Sequence, residues 1–171
     1  MNNADPARIR VLMVCLGNIC RSPTAEAVFR QQVTAAGLDR VVDVDSAGTS
    51  DWHAGEPPDP RSMRAAAERL YDLSPLRARQ VRARDFEDFD YILAMDRQNL
   101  AHLEELCPVA CQDKLGLLLD YGCTGWQEVP DPYNCDREGF DLVLDLVESA
   151  CAGLLQEIRQ RHALPAVEPR A

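Results

Sequence analysis

Near the amino terminus, Cys15-Leu16-Gly17-Asn18-Ile19-Cys20-Arg21-Ser22 places a thiol, a guanidinium and a hydroxyl in one short stretch between an apolar run and a helix-start signature. A loop this short, entering a helix, curls so that successive N–H groups point inward and add to the positive end of the helix dipole. Such a cradle suits an anion. Gly17 allows the turn, and Asn18 tolerates a left-handed backbone. Arg21 closes the ring with a planar fork that matches two phosphate oxygens, a geometry lysine meets poorly. Inward amides and a nearby cation also favour the thiolate, the nucleophilic form of cysteine. The loop therefore offers Cys15 as a nucleophile inside an anion cradle made of Leu16, Gly17, Asn18, Ile19, Cys20 and Ser22.

Other readings of the loop fare worse. No G-x-x-x-x-G-K-[ST] is present, and no G-x-G-x-x-G follows the first apolar run, so the nucleotide-binding glycine loops are excluded. A cysteine at a strand end is usually a packing residue, and Cys15 with Cys20 could form half of a zinc site. Cys107/Cys111 and Cys123/Cys135 are not followed by histidines at finger spacing, and His53, His102 and His162 have no ligand spacing of their own. Neither a metal nor a cofactor is expected.

The elements that must hold this loop follow from periodicity. Ile9 to Val14 reads as a strand buried on both faces, ending at Cys15. Ser22-Pro23 opens a helix with Ala25, Val28, Phe29 and Val33 on one face, which Gly37 can end. Val41 to Val44 is a second strand, and Asp59-Pro60 opens a helix with Met63, Ala66, Ala67 and Leu70 inward. Tyr91 to Ala94 and Leu115 to Leu119 are further strands, with Asp96 capping a helix of Leu100, Leu103 and Leu106 between them. From about Glu138 a last helix carries Phe140, Val143, Val147, Ala150, Leu154 and Ile158 on one stripe. This alternation predicts a three-layer α/β fold, an open sheet of about four parallel strands with helices on both faces. The phosphate loop lies between strand one and helix one, at the carboxyl edge where ligands bind in such folds.

A chain of 171 residues fits a single domain over 1–171, with 1–7 and about 163–171 as flexible tails. No apolar run approaches the ~20 residues needed to span a bilayer, and the first ten residues lack the apolar segment of a signal peptide. A cytoplasmic, monomeric protein with no membrane partner and with its seven cysteines reduced is expected. The net charge of −10 argues against nucleic acid as a partner and repels anions at long range. Positive potential for a phosphate must therefore be created locally. Arg77, Arg79, Arg82 and Arg84 read as a solvated charged face.

With the loop CLGNICRSP, the segment SAGT at Ser46 to Thr49 and VPDPY at Val129 to Tyr133, the sequence resembles the low-molecular-weight protein tyrosine phosphatases from Ile9 to about Ile158. That resemblance implies hydrolysis of phosphotyrosine in proteins and of small aryl phosphates. The reaction would run through a phosphoenzyme on Cys15 formed with inversion. Asp131 would protonate the leaving oxygen and then assist water as base. Such an acid is needed, because a thiolate displaces a phosphate ester only when the departing oxygen is stabilised. Flanking prolines stiffen the segment around Asp131.

The resemblance further implies that Trp52 and Tyr133 wall an aryl slot, and that Asn18, Ser22 and Ser46 hold the loop. It implies Cys20 as redox partner of Cys15, and tyrosine-phosphorylated proteins, with a tyrosine kinase, as partners. Two positions depart from the pattern: Leu76 replaces a supporting histidine, and Asn134 stands where many relatives carry tyrosine. Three rival functions fit the sequence less well. A thiol-dependent arsenate reductase needs a cysteine pair just after the third strand, and Tyr91 to Asn99 contains no cysteine. A cysteine phosphocarrier has little need of a leaving-group acid. A silent phosphotyrosine-binding module would not need Cys15, Arg21 and Asp131 together.

Overall fold

The computed structural model describes residues 7–166. Strand β1 (Ile9–Cys15) alternates between two cores, with Val11, Met13 and Cys15 in one cluster and Leu12 and Val14 in the other. With β2 (Val42–Gly48), β3 (Tyr91–Ala94) and β4 (Leu115–Leu117) it forms a parallel sheet in the order β2-β1-β3-β4. Parallel pairing sets the carboxyl ends of the strands along one edge, where Cys15 pairs with Gly48 and Val14 with Ala94.

Helices α1 (Arg21–Ala35), α2 (Pro60–Glu68) and α5 (Arg137–Arg161) are packed together on the larger core. The short α3 (Asp85–Asp88) and α4 (Arg97–Leu106) cover the other face, where Phe86 and Leu103 are buried with Leu12, Val14 and Ile92. The expected stripe of α5 is buried along its length, from Phe140 to Ile158. At roughly 1.5–3 kcal/mol for each large apolar side chain fully removed from water, this helix is a principal anchor of the sheet.

Several boundaries differ from the expected ones. β2 runs on to Gly48, so Ser46 and Ala47 lie inside the strand. β4 stops at Leu117, and Leu118 to Tyr121 form a 3-10 turn that still buries Leu118 and Leu119. The inner face of α2 is Ser62, Ala65 and Ala66, while Ala67 is exposed. Leu70 falls beyond the helix with a φ of 67° and is 84% exposed. Leu106, the last residue of α4, is also exposed. Of the expected tails, 1–6 and 167–171 lie outside the described residues. Leu164 curls back, its N–H donating to the Arg159 carbonyl at 2.9 Å, and packs against the larger core.

Candidate active site

In the loop after β1, Asn18 and Cys20 are buried while Leu16, Gly17 and Ile19 are half-buried, and its bends are fixed locally. Asn18 takes a left-handed backbone, φ 57°, and its N–H donates to Cys15 Sγ at 3.3 Å. Ser22 Oγ lies 3.0 Å from the same sulfur. Gly17 does not supply a positive φ; a Cβ there would sit 3.0 Å from the His53 ring. Space, not backbone freedom, is what glycine provides at this position. A Cβ on Gly48 would meet the Leu16 carbonyl oxygen at 2.6 Å, so β2 can approach the loop this closely only with glycine.

The Asn18 side chain ties the loop to the sheet. Its Nδ2 donates to Ser22 Oγ at 2.8 Å and to Ser46 Oγ at 2.9 Å, and its Oδ1 accepts from the Arg79 N–H at 3.0 Å. Ser46 in turn donates to Glu26 Oε1 at 2.7 Å, and Arg30 donates to Glu26 Oε2 at 2.9 Å. Burial pushes the Glu26 carboxyl above its ordinary range, against the hydrogen bonds from Arg30 and Ser46. Leu76 makes none of these bonds and instead packs partly buried on the core. The support of the Asn18 carbonyl oxygen comes from the Arg79 backbone N–H. Arg79 is also the member of the expected basic face that turns inward, bonded to Asp45 and Asp85.

Arg21 is buried in the first turn of α1. Its Nη1 donates to Asp96 Oδ2 at 2.6 Å and to the Val129 carbonyl at 3.0 Å, while Nη2 lies 3.9 Å from Asp131 Oδ2. Burial opposes its charge, and Cys15, Asp96 and Asp131 outweigh that effect and hold the guanidinium above its ordinary range. The sequence assigned Asp96 only a cap. Its Oδ1 does cap α4, at 2.7 Å from the Asn99 N–H, leaving Oδ2 to orient Arg21.

Cys15, Leu16, Gly17, Ile19, Cys20 and Arg21 form the floor of a cleft of about 280 Å³ whose sides are Trp52, His53, Asp131 and Tyr133. Trp52 is 71% and Tyr133 49% exposed, flat rings standing at the rim. His53, unassigned from the sequence, has Nδ1 2.8 Å from Glu56 Oε2. Asp131 comes to the cleft because the Val129 N–H donates to the Met95 carbonyl at 2.8 Å just beyond β3. Cys20 lines the cleft too, and burial pushes its thiol up to about 12 despite a hydrogen bond to Ser62. All seven cysteines are free thiols. Cys107 lies beyond the far end of α4, about 15 Å of helix away from Asp96.

Residues 10–164 match the family model for low molecular weight phosphotyrosine protein phosphatase. A low molecular weight protein-tyrosine-phosphatase of Streptomyces coelicolor is 44% identical over 156 residues, covering 89% of this chain and 94% of that protein. The crystal structure of a protein tyrosine phosphatase from Entamoeba histolytica superposes with a TM-score of 0.88 at 38% identity, over 90% of this chain and 99% of the other. YfkJ from Bacillus subtilis gives 0.85 at 38% identity, over 91% and 97%. The fold is the one shared by these tyrosine phosphatases. This chain belongs to the low-molecular-weight phosphotyrosine protein phosphatase family.

Proposed function

We propose that the protein hydrolyses phosphotyrosine in proteins, and small aryl phosphates, through a cysteinyl-phosphate intermediate. The observation that carries this reading is Cys15 Sγ on the floor of the cleft, within reach of the Asn18 N–H and Ser22 Oγ, with Arg21 and Asp131 beside it. Cys15 Sγ attacks phosphorus as a thiolate, the S–P bond forms and the P–O bond to the tyrosyl oxygen breaks. Asp131, in its acid form, gives its proton to that oxygen. Water then attacks phosphorus, the Asp131 carboxylate takes its proton, and the S–P bond breaks to release phosphate and the thiolate.

Arg21 has Nη1 committed to Asp96 and Val129, which leaves its Nε–Nη2 edge for two phosphate oxygens. The N–H groups of Leu16 to Ser22 complete the cradle. Trp52 and Tyr133 favour an aryl phosphate, because a flat ring between them buries area that phosphoserine does not offer. Proteins phosphorylated on tyrosine are the natural partners, and a tyrosine kinase would supply them. Among the described residues no helix is long and apolar enough to cross a membrane. A thiolate nucleophile suits a reducing compartment such as the cytoplasm.

Steady-state hydrolysis of phosphotyrosine, phosphoserine, phosphothreonine and acyl phosphates with chelator present tests the reading. Turnover of phosphotyrosine well above the alkyl esters is expected. Preference for alkyl or acyl phosphates, or loss of turnover on chelation, would overturn it.

A further inference from the structure

The start of α2 stands between the two loops of the site and touches both. The Asp59 N–H donates to the Ile19 carbonyl of the Cys15 loop at 2.8 Å. The Asp59 carboxylate, nearly buried, caps α2 and also grips the Arg61 side chain with both oxygens, Oδ1 to Nε at 3.1 Å and Oδ2 to Nη2 at 2.9 Å. Arg61 Nη1 then donates to the Tyr133 carbonyl at 2.8 Å. Its guanidinium lies 5.3 Å from the Tyr133 ring centroid and 4.9 Å from that of Phe140.

These contacts fix the side of the Asp131 loop that nothing else named above reaches. On the amino-terminal side, Val129 is tied to Met95 and Arg21. On the other side, the Tyr133 N–H donates to Asp131 Oδ1 at 3.1 Å, so the position of Tyr133 sets how the Asp131 carboxylate is turned. We propose that Arg61, held by Asp59, is a positioning residue that sets the Asp131 carboxyl over the bound phosphate ester. It touches neither phosphate nor thiolate and acts through the Tyr133 peptide. Its rigid bidentate fork, beside Pro60 at the helix start, is what makes it suitable as a strut. The inference rests on Asp131 being the leaving-group acid, as proposed above.

The test is Arg61→Met, which keeps the aliphatic bulk, assayed beside Asp131→Ala on phosphotyrosine and on nitrophenyl phosphate. Nitrophenolate departs without a proton, and both esters use the same aryl slot, so any loosening of the Tyr133 wall cancels in their ratio. Arg61→Met should lower kcat/KM for phosphotyrosine by about ten- to a hundredfold, and for nitrophenyl phosphate by less than about threefold. Inhibition by inorganic phosphate should be unchanged, and Arg61→Lys should recover part of the loss. On the Asp131→Ala background, Arg61→Met should add no further difference between the esters. If Asp131→Ala distinguishes the two esters and Arg61→Met does not, Arg61 is only a structural residue and the inference fails. Weakened phosphate inhibition in Arg61→Met would place its role in the Cys15 loop, against the inference. If neither variant distinguishes the esters, the acid assignment itself falls and takes the strut with it.

Discussion

Between Cys15 and Ser22 the polar side chains are buried and, apart from Arg21 with Asp96 and Val129 and Asn18 with the Arg79 N–H, find their partners within the loop or on the adjoining β2, whereas Asp131 and Tyr133 stand about half exposed. The loop around Asp131 is held by groups from elsewhere: Met95 beyond β3, Arg21 on α1 and Arg61 on α2. The first region is locally encoded and packed under the sheet edge. The second is a surface segment made definite by long-range contacts. A cradle for a phosphate must be formed before the ligand arrives, since its worth lies in amides already aimed inward. In the proposed reaction the acid has to meet different leaving groups, and tolerates a lighter tether.

Breaking the cradle should cost most. Cys15→Ser is expected to abolish turnover while leaving phosphate binding measurable, because the amides and Arg21 remain; hydrolysis near the wild-type rate by this variant would remove Cys15 as the nucleophile. Next in size is Arg21→Lys. It keeps the charge but loses the fork and the bonds to Asp96 and Val129, so kcat/KM should fall by about 10²- to 10³-fold. A loss below about tenfold would argue against a clamp.

A third test compares the two cysteines of the loop. Peroxide oxidises a thiolate to a sulfenic acid with release of water, and a neighbouring thiol can condense with it, losing a second water to form a disulfide. Cys15 and Cys20 line one cleft, whereas Cys107 lies at the other end of α4. Wild-type activity lost to peroxide should return with dithiothreitol, and Cys20→Ser should lose it permanently. Mass spectrometry should find Cys15 joined to Cys20; a link from Cys15 to Cys107, Cys111 or Cys123 would sink the protective role.

The smallest effect concerns the strut itself. Hydrogen bonds from Arg61 hold the Asp59 carboxyl below its ordinary range despite partial burial. A lowered carboxylate contributes stability that is complete above its unfolded value, about 4, and is lost as pH falls through the folded value. Asp59→Ala, which also removes a helix cap, should cost about 1–2 kcal/mol in denaturant unfolding at pH 7. The gap should narrow as pH falls below about 4. A difference independent of pH would mean that the cap alone matters.

What could be read in advance was whatever is written in contiguous residues. The apolar run of β1, the Asp59-Pro60 and Asp96 helix starts and the stripe of α5 each carry their own signal, and all four appear in the fold. Leu70 misled because the pattern continued past the point where α2 ends, and Ala67 because it falls on the outer face of that helix. Leu118 and Leu119 misled for a related reason, since they are buried without being in the strand. Glu26 under Ser46, Asp96 behind Arg21 and Arg61 against Tyr133 left no mark at all. Each is an ordinary charged residue until its partner is known.

The acid at Asp131 came from the family resemblance; by itself, the sequence determined the α/β alternation and the cradle from Cys15 to Ser22, with a candidate nucleophile and clamp inside it. Those depend on short-range rules: side-chain periodicity, helix caps and the curl of a few consecutive amides. Only the tertiary structure decided which carboxylate orients Arg21, that the Arg79 backbone supports Asn18 in the absence of a histidine at Leu76, and how a strut from α2 reaches the loop of Asp131. Such bonds join residues 61 to 75 positions apart in the chain. No local preference encodes them, and they exist only once parallel strands have brought their carboxyl ends to one edge.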